Sequence, residues 1–75
     1  MKCSVDNRLL GLKIAYYRKR KRLTQAQLAD EIHISVRYMS KIECGQVVNC
    51  VSLPVLHSIS KTLGVSMDTL LQEDE

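Results

Sequence analysis

Apolar residues recur along the chain at the spacing of an α-helix. Leu10, Ile14 and Tyr17 lie four and three residues apart, so they share one face of a helix expected over residues 5–21. No stretch alternates between polar and apolar residues over the length of a strand, and no Asn-Gly or Asp-Gly hairpin turn occurs. The pattern therefore predicts an all-α fold.

Residues that favour helix ends divide the remainder of the chain into four shorter helices. Thr24 and Gln27 have the spacing of a capping box, and the second helix then runs to about Ile32. Gly45 and Gly64 stand where a residue in the left-handed conformation can end the third and fourth helices. The expected helix starts are Ser4 or Asp6, Thr24, Ser35, Ser52 with Pro54 in the first turn, and Ser66.

The apolar sides of these helices are expected to form one aliphatic core, because the chain has no Trp, no Phe and only three Tyr. The loop over residues 46–51 adds Val47, Val48 and Val51, which either cover this core or form a dimer face, and the core is the preferred assignment. The apolar positions of helices two to five are Leu28, Ala29, Ile32, Met39, Ile42, Leu53, Leu56, Ile59, Leu63, Met67, Leu70 and Leu71.

The length of 75 residues predicts a single domain, residues 1–75, that ends in an acidic tail at residues 73–75. No apolar run approaches the roughly 18–20 residues of a membrane span, so a soluble, cytoplasmic protein is expected. An enclosed substrate pocket of about 300–1,000 Å³ is difficult to fit into this volume. Because no Ser-His-Asp, Cys-His or paired-carboxylate set is evident either, we do not expect an enzyme.

Charge is distributed unevenly along the chain, whose formal net charge is +3. Residues 1–45 carry ten Lys and Arg against four Asp and Glu, a balance of +6, whereas residues 46–75 carry one Lys against four acids, a balance of −3. The basic part suggests a polyanionic partner. Ordinary solvated charge on exposed helices is the alternative explanation.

The three cysteines, Cys3, Cys44 and Cys50, make an odd number that does not suggest a disulfide framework. The two histidines, His33 and His57, do not complete a zinc-binding pattern with them. Free thiols, and no metal or other cofactor, are therefore expected.

Residues 24–45 have the arrangement of a helix-turn-helix motif, with two short helices separated by about three residues. Ala29 is small enough for the second of these helices to cross close to it, and Ile34 can reach the core from the turn. A helical corner in a bundle that binds no nucleic acid would show the same apolar spacing, so the motif is moderately specific.

Three separated segments together resemble the phage-repressor, or XRE, family of helix-turn-helix proteins. They are Leu-Thr-Gln-Ala-Gln-Leu-Ala at residues 23–29, Tyr-Met-Ser-Lys-Ile-Glu-Cys-Gly at residues 38–45, and Leu-Gly-Val-Ser-Met-Asp-Thr-Leu-Leu at residues 63–71. The resemblance extends over about residues 8–72 and implies a compact five-helix, repressor-like domain from a bacterium or phage. It further implies that the third helix enters the major groove of double-stranded DNA, usually in a homodimer on an operator with two half-sites.

The resemblance also implies roles for individual residues of this chain. It places Gln25 at the start of the second helix, where the residue meets a DNA phosphate. Arg37 is expected to bind guanine, and Val36 to rest on a thymine methyl group, with ordinary exposed helix surface as the alternative. The other outward residues of the third helix, expected to face bases or phosphates, are Ser35, Tyr38, Ser40 and Lys41.

Arg18 and Glu43 match an ion pair that the family forms between its first helix and the end of its third. Both are therefore assigned a structural role, with a phosphate contact by Arg18 as an addition. The run Lys-Arg-Lys-Arg at residues 19–22 wraps several faces of its helix, and either attracts the DNA backbone without sequence preference or serves solubility.

The chain departs from the family pattern at three positions near the motif. His33 and Arg22 stand where Gly is common, and we expect a positive φ at His33. Cys44 stands where a polar or basic residue often contacts phosphate, so that contact is not expected here.

The sequence thus predicts a DNA-binding regulator of transcription that is associated with the nucleoid when it is bound to DNA. The alternative is an antitoxin-like module whose main partner is a toxin-like protein and whose DNA binding is secondary.

Overall fold

The computed structural model describes residues 6–47 and 51–72, and in these two stretches the chain forms five helices and no strand. The helices are α1 (Asn7–Arg20), α2 (Gln25–Glu31), α3 (Val36–Glu43), α4 (Leu53–Leu63) and α5 (Met67–Leu71). The order and lengths of the helices confirm the predicted all-α, five-helix fold. The expected start of α1 at residue 5 and its alternative cap, Ser4, lie outside the described residues.

Side-chain oxygens cap four of the five helices at the predicted residues. Thr24 and Gln27 form both hydrogen bonds of the capping box at α2. At α3, Ser35 Oγ accepts a hydrogen bond of 3.0 Å from the backbone N–H of Tyr38. Ser52 precedes α4 but makes no side-chain cap bond. The capping oxygens of the other two helices belong to Asp6 and Ser66.

The apolar sides of the five helices meet in one core. The helix α1 packs against α3, α4 and α5, whereas α3 and α5 do not pack on each other to a comparable extent. Because α1 contacts α3 and also both C-terminal helices, it sets the position of α3 relative to α4 and α5. The largest side chains with almost no exposure are Ile14, Leu28, Met39, Ile42, Ile59 and Leu70.

The predicted burial of Leu53 is wrong, since this side chain is 67% exposed. Leu53 is the first residue of α4, and helical side chains lean toward the N-terminus of their helix. Its side chain therefore extends past the end of the core. Val51, in the loop before α4, is buried in the core instead, and Val47 is half-buried against it, whereas Val48 lies outside the described residues.

Within residues 6–47 and 51–72, four residues adopt the left-handed backbone conformation, and two of them carry a side chain. His33 has φ of 63°, as predicted, and Arg22 has φ of 60°, a conformation that Gly adopts more readily than other residues. Gly45 and Gly64 have φ of 71° and 72° and end α3 and α4, as predicted.

Within the described ranges no helix is long and apolar enough to cross a membrane. The same residues contain no group of three or more His, Cys, Asp or Glu side chains arranged to hold a metal ion. Cys44 is exposed, with a free thiol. The other two cysteines, Cys3 and Cys50, and the acidic tail at residues 73–75 lie outside the part of the chain that the structure describes.

Candidate nucleic-acid interface

The turn between α2 and α3 holds these two helices together. The left-handed conformation of His33 reverses the chain, and the N–H of Ile34 then donates to the carbonyl oxygen of Ala29 at 3.0 Å. Ala29 is buried, and its small side chain lets α3 lie close to α2. One side of α3 is thus fixed against the core through Met39 and Ile42, and its opposite side faces solvent.

A shielded ion pair joins α1 to the last residue of α3. Arg18 Nε lies 2.6 Å from Glu43 Oε2, and Arg18 Nη2 lies 3.1 Å from Glu43 Oε1. The two side chains are only 11% and 6% exposed. Arg18 Nη1 also donates to the carbonyl oxygen of Leu23 at 2.8 Å. Two N–H groups of Arg18 bind the one carboxylate of Glu43, which fixes both the distance between the two side chains and their relative orientation. The pair therefore braces the C-terminal end of α3 against α1.

Gln25 joins this ion pair through a contact that sequence reasoning did not predict. Its Nε2 donates to Glu43 Oε1 at 2.9 Å, and the two residues are 18 positions apart in the chain. A carboxylate can only accept hydrogen bonds, so the contact turns the amide nitrogen of Gln25 toward Glu43.

Gly11 is a further residue whose role the sequence reasoning missed. A Cβ atom at this position would lie 2.5 Å from the backbone carbonyl oxygens of both Ile42 and Glu43. Only a residue without a Cβ atom therefore lets α1 come this close to the end of α3. Its place in the interior of a helix, where Gly is unfavourable, is the signal that could have revealed it.

The solvent side of α3 carries the predicted DNA-contacting residues, though not all to the same degree. Arg37 and Lys41 are exposed and one helical turn apart, so they share one face. Val36 is half exposed. Tyr38 and Ser40 are half-buried, and Tyr38 packs partly against the core. An outward orientation was expected for both of these side chains, and they are more enclosed than that.

The basic run at residues 19–22 is exposed but does not act as one group. Arg20 Nη1 donates to Tyr16 Oη at 3.0 Å, and the Arg20 guanidinium carbon lies 5.6 Å from the centre of the Tyr16 ring. This hydrogen bond raises the pKa of Arg20 above its already high ordinary value, so the guanidinium stays protonated. Arg20 therefore belongs to the outer surface of α1.

Two short helices joined by a tight turn, with α3 braced from behind and cationic in front, define a helix-turn-helix protein. The chain belongs to the helix-turn-helix family, whose model matches residues 14–70. This match confirms the resemblance to phage-repressor proteins that the three sequence segments indicated.

Known proteins similar to this chain include regulators and repressors. The HTH-type transcriptional regulator SinR of Bacillus licheniformis is 34% identical over 67 residues, which are 89% of this chain and 60% of that protein. The chain thus spans about three-fifths of the length of the curated relatives it matches.

Two similar solved structures contain DNA. The master regulator for biofilm formation SinR, in complex with DNA, superposes with a TM-score of 0.78 at 35% identity, covering 84% of this chain and 98% of that one. The P22 c2 repressor protein, in complex with a synthetic operator, superposes with a TM-score of 0.79 at 30% identity, covering 88% of this chain and 97% of that one.

Proposed function

We propose that this chain is a sequence-specific, double-stranded DNA-binding regulator of transcription that inserts α3 into the major groove. The observation that carries the proposal is the solvent side of α3, which is cationic and held rigidly from behind by Arg18 and Glu43. A major groove about 12 Å wide admits a single α-helix. The similarity to SinR and to the P22 c2 repressor, each solved with DNA, supports DNA as the partner of this chain.

Arg37 and Val36 are the proposed base-reading residues. The exposed guanidinium of Arg37 fits the O6 and N7 acceptors of guanine with two parallel hydrogen bonds. Val36, 50% exposed at the first position of α3, offers an apolar surface to a thymine methyl group. Lys41 lies one turn beyond Arg37 and contacts a base or a phosphate.

Three further residues, in α3 and at its N-cap, are proposed to contact DNA only where it comes close to the helix. Ser35 Oγ already accepts the N–H of Tyr38, and its hydroxyl proton remains available to donate to DNA. Tyr38 and Ser40 are half-buried, which limits them to acceptors that come close to the helix surface.

Gln25 is the proposed phosphate contact outside α3. Its amide nitrogen is held by Glu43 at 2.9 Å, and its second N–H is the donor that meets a phosphate oxygen. The contact carries no base information by itself, but it fixes the position of α3 along the groove.

The regulator is proposed to act as a homodimer built from its C-terminal helices. One recognition helix reads only a few base pairs, whereas two domains related by a two-fold axis read two half-sites about 34 Å apart. On α5, Met67 and Leu71 are one turn apart and half-buried, whereas Leu70 is buried in the core of its own chain. Met67 and Leu71 are therefore the surface available for pairing.

A selection of bound duplexes from a random oligonucleotide pool tests the proposal directly. We expect enrichment of one sequence in two inverted copies about 10 base pairs apart, centre to centre. The matched control is the Arg37→Ala/Lys41→Ala protein. We expect it to fold normally but to lack the two cations on the exposed side of α3. A pool that remains random with the unaltered protein would refute sequence-specific binding.

A further inference from the structure

Two large apolar side chains on α1 are exposed on a surface that the proposed DNA contacts do not use. Leu12 is 64% exposed and Tyr16 is 54% exposed. They are four residues apart in a continuous helix, so they lie side by side on its surface. Scattered exposed leucines need no explanation, but an adjacent apolar pair beside a groove is typical of a binding surface.

Tyr16 is held in place although it is exposed. Its ring packs edge-on against that of Tyr17, with ring centres 5.0 Å apart. Arg20 adds a hydrogen bond to the phenol oxygen and a cation–π contact with the ring. An aromatic side chain that is ordered before a partner arrives loses little conformational entropy on binding.

Two neighbouring cavities flank Tyr17 and extend this surface. The first, of about 330 Å³, lies between α1 and α5 and is lined by Leu12, Lys13, Tyr16, Tyr17, Thr69 and Gln72. The second, of about 380 Å³, is lined by Tyr17, Arg20, Lys21, Leu63 and Val65. We call the two together the α1 groove. Neither cavity is lined by a residue of α2 or α3, so the groove is separate from the proposed DNA-reading face.

Among the residues that the structure describes, the charged ones that line the α1 groove are all cations: Lys13, Arg20 and Lys21. The helix α1 itself contains five Lys and Arg and no Asp or Glu. Lys13 Nζ donates to the carbonyl oxygens of Thr69 and Gln72, which ties α1 to the end of α5 along the groove. The described part of the groove therefore combines ordered apolar anchors with cations along its edge.

We propose that the α1 groove binds an acidic amphipathic segment of a partner protein, which places two or more apolar side chains over Leu12 and Tyr16 and carboxylates beside Arg20 and Lys21. The complementary signs of charge orient the segment, and burial of the apolar anchors supplies affinity. The site does not depend on DNA binding, and the two surfaces can be occupied together.

Two other occupants fit the groove less well. A second copy bound symmetrically would bring the same cations of both copies together, because an isologous interface pairs each patch with itself. A DNA backbone would meet the cations but would leave Leu12 and Tyr16 without an apolar partner.

The proposal is tested by selecting phage-displayed random peptides of about 15 residues on the full chain, a length sufficient for a short helix. We expect the enriched peptides to combine Asp or Glu with apolar residues at helical spacing. The most enriched peptide is then synthesised with a fluorescent label, and its affinity is measured by anisotropy.

Matched variants locate the binding site. Leu12→Asn is expected to lower the affinity for the peptide about tenfold. Leu53→Asn, at a similarly exposed leucine on α4, should leave the affinity unchanged. Lys21→Glu is expected to lower the affinity for the peptide. Its control is Lys61→Glu, at an exposed lysine of α4 outside the groove. Circular dichroism confirms that each variant is folded.

Several results would overturn the proposal. They are a selection without acidic, apolar peptides, equal binding by Leu12→Asn and Leu53→Asn, and displacement of the peptide by duplex DNA. Sedimentation that shows a dimer of the free protein dissolved by Leu12→Asn would instead assign the groove to a second copy. Retention of the peptide in a complex with DNA is the expected result.

Discussion

The amide nitrogen of Gln25 lies 2.9 Å from Oε1 of Glu43, so the first residue of α2 is tied to the last residue of α3. Arg18 approaches the same oxygen at 3.1 Å from α1. Three helices thus meet at one carboxylate. The residue proposed to grip the DNA backbone is positioned by the same group that braces the proposed recognition helix.

This arrangement predicts a coupling between Arg18 and Glu43 in stability. Removal of one partner leaves the other charge enclosed, so Arg18→Leu and Glu43→Gln are each expected to lower the free energy of unfolding by about 3 kcal/mol. The double variant should lose clearly less than the sum. Urea unfolding followed by circular dichroism measures all four proteins, and small additive losses would identify two independent charges.

Glu43 is also expected to influence DNA binding through Gln25. Glu43→Gln and Gln25→Ala should each weaken binding to the selected duplex and to random DNA by the same factor, because a phosphate contact carries no base information. Combining them should weaken binding less than the product of the single effects. Affinities are measured where circular dichroism shows every variant folded. A loss confined to the selected duplex would assign Gln25 to base reading.

Arg37 is expected to affect sequence preference as well as affinity. Arg37→Ala should weaken binding to the selected duplex by about 1–3 kcal/mol and reduce the sequence preference at one base pair. Competition between the selected duplex and single-base variants measures this, with Lys61→Ala on α4 as a cationic control. Equal weakening on selected and random DNA would make Arg37 a phosphate contact.

Gly11 is expected to control the position of α3. Gly11→Ala places a methyl group against the backbone of Ile42 and Glu43, at a cost of about 1–3 kcal/mol in stability, and displaces α3 enough to weaken DNA binding. Gly64→Ala is the matched control, since it strains a left-handed residue by about 1–2 kcal/mol but meets only the end of Lys21. Its folded form should bind DNA normally, and the two losses are compared by thermal melting and gel shift.

Leu71 is expected to lie in a homodimer interface. Sedimentation at micromolar concentration should show a dimer for the unaltered protein and a monomer for Leu71→Glu, because a carboxylate in an apolar interface is costly. Leu53→Glu, on the exposed start of α4, should remain a dimer. A monomeric protein that binds one half-site as tightly as the full dyad would contradict the dimer.

The sequence alone determined the helices of this protein, because helix ends depend on local chemistry. A side-chain oxygen at Thr24 or Ser35 reaches only the N–H groups of the next turn, and the left-handed conformation at Gly64 concerns that residue alone. The period of apolar residues likewise identified the core sides of α2 and α3.

Only the tertiary structure decided which of those side chains meet. Leu53 fits the apolar spacing of α4, yet its side chain is exposed to solvent. The spacing shows which side of α4 a residue lies on, but it does not show whether another helix packs against that position. The pairing of Arg18 with Glu43 followed from family resemblance rather than from spacing, and the contacts of Gln25 and Gly11 with the end of α3 had no counterpart in the pattern. Such contacts join residues that are distant in the chain, and their distances are set by how α1, α2 and α3 pack together, which no local pattern encodes.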